Sequence, residues 1–363
     1  MKILYAIQGT GNGHISRARD IIPLLKKKGE VDILISGTEA DVSLEFPIKY
    51  QFKGLCFVFG KKGGIDLVST YKKAKLRRFL KEVNSLPVIK YDIVISDFEP
   101  VSAWACLANH KHCIGLSHQA AVLNKKSPQP RKKDLVGITI LRKYAPVTEK
   151  FGFHFKAYDK NIFTPVIRNE IRNVNSFVHP HYTVYLPAYN DRRLIKILGK
   201  IKDVQWEVFS KHTKKSYREG NIDICPINND AFIKSLVNCT GVLCGAGFET
   251  PAEALFLKKK LMVIPMKGQY EQQCNAAALK EMGVPVLKKL KKQKIKKIIA
   301  WVKNSDIVRV DYPNITESII EEIFKAHSHE INKQTHPSIS RIDTSSRNLQ
   351  KLNLGNILNQ IKG

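Results

Sequence analysis

The chain is short of acid. Across 363 residues, 60 Lys and Arg stand against only 32 Asp and Glu, a formal net charge of +28. Such an excess favours an anionic partner, but nucleic acid, an anionic membrane surface and a phosphorylated substrate satisfy it equally. Long apolar runs are missing too: none approaches the roughly 18 to 20 residues needed to span a bilayer. The seven cysteines (56, 106, 113, 225, 239, 244 and 274) offer no framework, being odd in number, scattered, and set in runs such as Leu55-Cys56-Phe57-Val58. That excludes zinc spacing and a disulfide scaffold, and it predicts a reduced, cytoplasmic compartment. No signal-peptide pattern opens the chain, because Met1-Lys2-Ile3-Leu4-Tyr5-Ala6 leads straight into a glycine loop.

What is present is an alternation of short β-branched runs with amphipathic stretches, the pattern of a parallel sheet wrapped by helices. The length and the 43% hydrophobic content allow two cores. Strands are predicted near 2–7, 32–36, 48–52, 55–59, 91–96 and 112–116, with helices near 14–28, 70–84 and 99–109. After Phe163-Thr164-Pro165 the rhythm restarts. Strands follow near 182–186, 204–209, 221–225, 240–244 and 261–265, with helices near 190–200, 229–237, 248–258, 270–282 and 291–303. This predicts an α/β protein of two doubly wound, Rossmann-like domains, 1–165 and 166–328, with a polar, poorly ordered tail over 329–363. Residues 121–150 interrupt the first half with the basic, proline-broken Lys125-Lys126-Ser127-Pro128-Gln129-Pro130-Arg131-Lys132-Lys133 and an apolar run over 135–141. The lysine tract at 288–294 reads most simply as a solvated helix face.

The loop Gly9-Thr10-Gly11-Asn12-Gly13-His14 follows the first strand and opens a helix, so its glycines are expected to permit positive φ and to present N–H groups to a phosphate. Two nucleotide signatures are nevertheless absent. The dinucleotide fingerprint needs glycine where His14 stands and an acid where Ser36-Gly37 closes the second strand, and a Walker loop needs Gly-Lys-Ser/Thr. What remains is a histidine at a helix start on the ligand-binding edge of the sheet. Asp97, ending Asp92-Ile93-Val94-Ile95-Ser96-Asp97 at that edge, is the carboxylate that would orient it as a general base. The plainer alternative makes His14 a packing residue and Asp97 the N-cap of the next helix. Gly11, Asn12, Gly13, Arg17 and His118 complete the acceptor and phosphate side, with Arg17 a candidate to offset diphosphate charge.

In the second half, Val242-Leu243-Cys244-Gly245-Ala246-Gly247-Phe248 takes a strand into a glycine turn and a helix carrying Glu253. The next strand ends at Pro265, and the loop to Gln269 opens a helix bearing Glu271, Gln272 and Asn275. From Gly247 to Ala276, Gly-x5-Glu, a strand ending in Pro265 and Glu-Gln-x-x-Asn-Ala fall in one order. Together with Gly13-His14 and Asp97, this order resembles the UDP-glycosyltransferases of GT-B architecture, including the peptidoglycan N-acetylglucosaminyltransferase and the plant secondary-metabolite enzymes. Gly268-Gln269-Tyr270-Glu271-Gln272 and Phe163-Thr164-Pro165 look closer to a bacterial and archaeal branch. The resemblance covers about residues 1 to 305.

The resemblance implies two domains facing a central cleft. Glu253 would sit on the uridine ribose, Glu271 and Gln272 on donor-sugar hydroxyls, and Gly247 and Phe248 at the diphosphate. His14 and Asp97 would form the base dyad. It departs at Leu243-Cys244-Gly245-Ala246-Gly247, which shares only Cys-Gly with the plant donor signature, and at Glu271, where the peptidoglycan enzyme has Gln. The expected activity is transfer of a hexose-type sugar from a nucleotide-sugar, used as co-substrate, to an acceptor hydroxyl, with inversion and with no cofactor or metal. A lipid-linked acceptor and peripheral contact with an anionic membrane are expected from the basic and apolar stretch around 131–143. A nonhydrolysing nucleotide-sugar epimerase uses the same frame, and a nucleic-acid binder would exploit the charge, although no recognition module is visible.

Overall fold

In the computed structural model, which describes residues 1–37, 44–55, 76–132, 134–174 and 178–335, the chain forms two α/β sheets. The first has seven parallel strands, β1 (Lys2–Gln8), β2 (Glu30–Ser36), β3 (Tyr50–Phe52), β4 (Ile93–Asp97), β5 (Ile114–Leu116), β6 (Glu149–Phe153) and β7 (Ile162–Phe163), in the order β3-β2-β1-β4-β5-β6-β7. Its connections carry α1 (Asn12–Lys26), α2 (Leu76–Ser85), α3 (Pro100–Ala108), α4 (His118–Val122) and α5 (Leu135–Tyr144), and the short α6 (Asn169–Arg172) leads out of it. The second contains β8 (His181–Tyr185), β9 (Gln205–Ser210), β10 (Tyr217–Glu219), β11 (Ile222–Pro226), β12 (Gly241–Cys244) and β13 (Lys260–Val263), ordered β10-β11-β9-β8-β12-β13 and parallel except for β10. With it go α7 (Asp191–Leu198), α8 (Asn229–Asn238), α9 (Glu249–Phe256), α10 (Tyr270–Glu281), α11 (Ile295–Lys303) and α12 (Thr316–Thr335).

The strand order decides where ligands can sit. In the first sheet the chain winds outward from β1 to β3 and then returns to start again at β4, on the other side of β1. In the second it winds outward from β8 and returns at β12. At each reversal the loops leaving two neighbouring strands turn opposite ways and open a crevice at the carboxyl ends. Those ends are Gln8 and Asp97 in one sheet, and Tyr185 and Cys244 in the other.

β1 and β4 are buried along nearly their whole length, as expected of apolar runs covered by helices on both faces. One continuous apolar core joins Ile7 and Ile15 of the first half to Val242, Ala252 and Leu255 of the second. The chain also returns. Ile319, Ile320 and Ile323 of α12 enter the same core beside Ile21, Ile22 and Leu25 of α1, and Lys27 Nζ lies 3.3 Å from Glu317.

Several elements differ from expectation. β6, β7, α4, β10 and α12 were not foreseen, and the apolar run over 135–141 is the helix α5. Helix α12 continues to Thr335, into the stretch expected to be a disordered tail, and the remainder of that tail lies outside the described residues. So do most of the strand expected at 55–59 and the start of the helix expected at 70–84.

Candidate active site at the two switch points

The register of the first sheet pairs Ile7 with Asp97, so the loop after β1 and the last residue of β4 share one edge. His14, in the first turn of α1, points its Nδ1 at Asp97 Oδ1, 2.8 Å away. A carboxylate oxygen only accepts, so Nδ1 carries the proton and Nε2 is left as the basic nitrogen. Arg17, one turn further along α1, donates through Nη2 to both oxygens of Asp97, at 2.8 and 2.7 Å. Asp97 is fully buried, and Arg17 is 2% exposed. The rival reading of Asp97 as a helix cap fails, because Glu99 takes that place: its oxygens accept from Val101 N at 2.7 Å and Ser102 N at 2.6 Å. Between the two acids Phe98 adopts φ 56°, a left-handed conformation costly for a non-glycine residue. That turn separates the capping carboxylate from the one committed to His14.

The charges explain the titration directions. Burial pushes the Asp97 carboxyl up, but the Arg17 and His14 charges outweigh it and hold the group below the usual carboxylate value. Burial pulls His14 down, while Asp97, by charge and hydrogen bond, together with Glu249, lifts it above the ordinary histidine value against the opposing charge of Arg17. The carboxylate of Asp97 is therefore held in place against the imidazole.

The glycines and Arg17 do other work than expected. Gly9, Gly11 and Gly13 are not among the positive-φ residues, and Gly11, preceding Asn12 at the start of α1, is extended at φ −162°. At Gly13 a Cβ would stand 2.6 Å from the carboxyl carbon of Glu249, so the residue makes room for an acid arriving from the second sheet. Glu249 also accepts from Arg17 Nη1. Arg17 is thus buried between two carboxylates, which corrects its expected place as a diphosphate contact.

Across the cleft, β12 ends at Cys244 and the chain passes through Gly245-Ala246-Gly247-Phe248 into α9. A cavity of about 610 Å³ opens there, lined by Gly245, Gly247, Thr250, Gln272, Tyr185 to Tyr189 and Ile264 to Lys267, with Arg193, Lys288, Lys289 and Lys291. Among the described residues no carboxylate lines it. A Cβ at Gly247 would meet nothing within 4 Å, whereas Gln272 is fixed by accepting from Met266 N at 2.9 Å. Gly245, Gly247 and Gln272 therefore all border this cavity.

Phe248, Glu253, Glu271 and Asn275, also expected at the donor, face the seam between the sheets. Glu253 is 3% exposed, and its oxygens accept from Arg168 Nε at 2.6 Å and Nη2 at 3.0 Å. Burial raises its carboxyl and Arg168 pulls it back, leaving it above the ordinary value. Asn275 is fully buried, donating through Nδ2 to Ala246 O at 3.1 Å and accepting at Oδ1 from His118 Nε2 at 2.7 Å. His118 is correspondingly closed to an acceptor: its Nδ1 meets Phe153 O at 2.7 Å, and its ring stacks on Phe248 with centroids 4.0 Å apart. Glu271 accepts from Gln119 Nε2 at 3.0 Å, and Gln269 precedes α10 in extended conformation. Glu253, Asn275 and His118 thus have their hydrogen bonds taken by the protein, whereas Glu271 and Gln269 remain partly exposed. Sequence reasoning missed Arg168 and Glu249, whose partners are distant in the chain; Lys288, Lys289 and Lys291 are exposed as expected, but they precede the helix α11 rather than lie on it, and they rim the cavity.

Residues 1–304 match the family model described as glycosyl transferase family 1. No curated protein matches the chain. Among solved structures, UGT89C1 of Arabidopsis thaliana, complexed with UDP, is similar at 14% identity and a TM-score of 0.55, covering 92% of this chain and 99% of that one. The glycotransferase of kitacinnamycin is similar at 11% identity and a TM-score of 0.55, covering 93% and 99%. MurG of Acinetobacter baumannii is similar at 15% identity and a TM-score of 0.50, covering 92% and 99%. At such identities the likeness is one of fold, and that fold is GT-B: two parallel-sheet, Rossmann-like units across a cleft.

Proposed function

Because the chain belongs to glycosyl transferase family 1, we propose that it moves a hexose-type sugar from a nucleoside diphosphate, most simply uridine diphosphate, to an acceptor hydroxyl. The observation that carries this reading is the His14–Asp97 pair, held at 2.8 Å on the edge that faces the glycine turn of the second sheet. His14 Nε2 takes the hydroxyl proton, the acceptor oxygen bonds to the anomeric carbon, and the bond from that carbon to the diphosphate oxygen breaks. The electron pair leaves with the nucleoside diphosphate. One displacement inverts the anomeric centre, and Asp97 stabilises the imidazolium that results.

The leaving diphosphate gains negative charge as the bond breaks. The N-terminus of α9 and the cations at the cavity rim, Lys267, Lys288, Lys289 and Lys291, supply the opposing field. With these groups the step is written without a metal. A UDP complex of the Arabidopsis structure in the same fold supports placing uridine first.

Binding is tested by thermal shift and calorimetry across UDP, other nucleoside diphosphates and their sugars. At one hundred times Kd a ligand stabilises by about 2.7 kcal/mol, so UDP should raise Tm measurably and a non-binding nucleotide should not. No stabilisation by any nucleotide-sugar would sink the donor reading. Isomerisation of UDP-N-acetylglucosamine without acceptor would replace transfer by epimerisation.

A lipid-linked acceptor on an anionic membrane face is the accompanying proposal, with a cytoplasmic location. It is supported by Leu135 and Val136, 72% and 50% exposed at the start of α5, between Arg131, Lys132 and the Arg142-Lys143 pair. No helix among the described residues is long and apolar enough to cross a membrane. Sedimentation with phosphatidylglycerol vesicles should show salt-sensitive association, and its absence would favour a soluble acceptor.

A further inference from the structure

Two lobes meet at the base through a residue with no place in the transfer chemistry. Glu249 is the first residue of α9, the helix whose preceding turn contributes Gly245 and Gly247 to the donor cavity. Its carboxylate does not face that cavity. It reaches across the cleft, passes over Gly13 and accepts from Arg17 Nη1, while Arg17 Nη2 grips Asp97, which in turn accepts from His14. The order is therefore acid, guanidinium, acid, imidazole, and it joins the start of the donor-side helix to the base.

The design of the surroundings agrees. Gly13 lacks the Cβ that would stand 2.6 Å from the Glu249 carboxyl carbon, so the acid can pass close over the backbone there to reach Arg17. The Arg17 guanidinium lies 5.1 Å from the centroid of the Phe153 ring, and its ion pairs are with Asp97 and Glu249. Arg17 and His14 compete for Asp97, with Arg17 Nη2 only 3.2 Å from His14 Nδ1. A second acid on Arg17 relieves that competition: the more charge of Arg17 Glu249 compensates, the more of Asp97 is left to His14.

We propose that Glu249 is a positioning residue for the base, sharing Arg17 with Asp97 across the cleft and thereby setting how strongly Asp97 supports His14. The inference rests on the reading of His14 as the base. The charged or titratable groups that bear on His14 are Asp97 from β4, Arg17 from its own helix and Glu249 from α9, with the buried Tyr5 of β1 interacting with Asp97 and Arg17 behind them. Removing the Glu249 charge acts in one direction by both routes. It takes away a negative charge that favours imidazolium, and it returns the full pull of Arg17 to Asp97.

The test is the imidazole titration of His14, followed by NMR in the full chain, with the resonance assigned by its loss in His14→Ala. In Glu249→Gln the His14 midpoint should move to lower pH. Gly13→Ala, which displaces the flexible end of Glu249 while keeping its charge, should move it the same way by less, and it supplies an independent reading if Glu249→Gln folds poorly. A midpoint unmoved or raised in both variants overturns the proposal. Turnover of His14→Ala, measured alongside, separates this outcome from failure of the underlying reading: turnover lost with an unmoved midpoint removes Glu249 alone, whereas turnover retained removes the base.

Discussion

The two sides of the cleft are built on opposite plans. On the first sheet His14, Asp97 and Arg17 are packed into a closed set of hydrogen bonds between 2.7 and 2.8 Å, with Asp97 sealed from solvent. On the second sheet a cavity of about 610 Å³ is bounded by glycines, tyrosines and solvent-facing lysines. The first arrangement suits a group whose geometry must not move during a proton transfer. The second suits capture of an anion, where charge in the neighbourhood matters more than any single bond. Changes on the first side should therefore act on rate, and changes on the second on affinity.

The largest expected effect is on the closed side. His14→Ala should lose about 10² to 10⁴ in turnover with donor affinity unchanged, the ordinary contribution of a general base. Asp97→Ala should lose rate on the same scale and also leave Arg17 buried without its main partner, a cost of about 3 to 5 kcal/mol in a denaturation experiment. An Asp97→Ala protein of normal stability would show that Arg17 does not depend on that carboxylate. Next comes the seam. Glu253→Ala strands Arg168, 85 residues away in sequence, and should lower the urea midpoint by a comparable amount. A fall in donor affinity without a fall in stability would return Glu253 to the donor site.

The pH dependence follows from the direction of the His14 shift. His14 must be neutral to accept a proton, and Asp97 holds its midpoint above the ordinary histidine value, against burial. Turnover should therefore rise with pH along a limb lying above about 6.5. In Glu249→Gln that limb should slide to lower pH, matching the NMR midpoint. The smallest effect is on the open side. Replacing Lys288, Lys289 and Lys291 by alanine should weaken UDP binding several-fold at low ionic strength, with the difference shrinking as salt screens these exposed charges. A loss independent of salt would mean that the lysines bond the ligand directly.

Legibility in the sequence followed the same division. His14 and Asp97 could be paired from their positions alone, because one opens the helix after β1, the other closes β4, and parallel neighbours bring their carboxyl ends to one edge. The glycine turn at 245–247 was visible for the same reason. Glu249 was not, since its meaning depends on Arg17, 232 residues away, and on a missing Cβ at Gly13. Asn275 was read as a ligand group because its chemistry suits sugars, and His118 because it follows a strand at the ligand-binding edge. Only the docking of the halves reveals that they bond each other. Of the elements, β1 and β4 were legible from apolar runs. β6 was hidden by its mixed Glu149-Lys150-Phe151-Gly152-Phe153, and α12 by a polar surface that masks the spacing of Ile319, Ile320 and Ile323.

The division between a rate side and an affinity side comes down to one comparison. Nucleoside diphosphate release from the nucleotide-sugar that binds most tightly, measured at saturation for the wild-type chain and His14→Ala, together with the Kd of each, tests it directly. The account predicts a rate lower by at least about a hundred-fold with the same Kd. Equal rates, or a loss lying wholly in Kd, would contradict it.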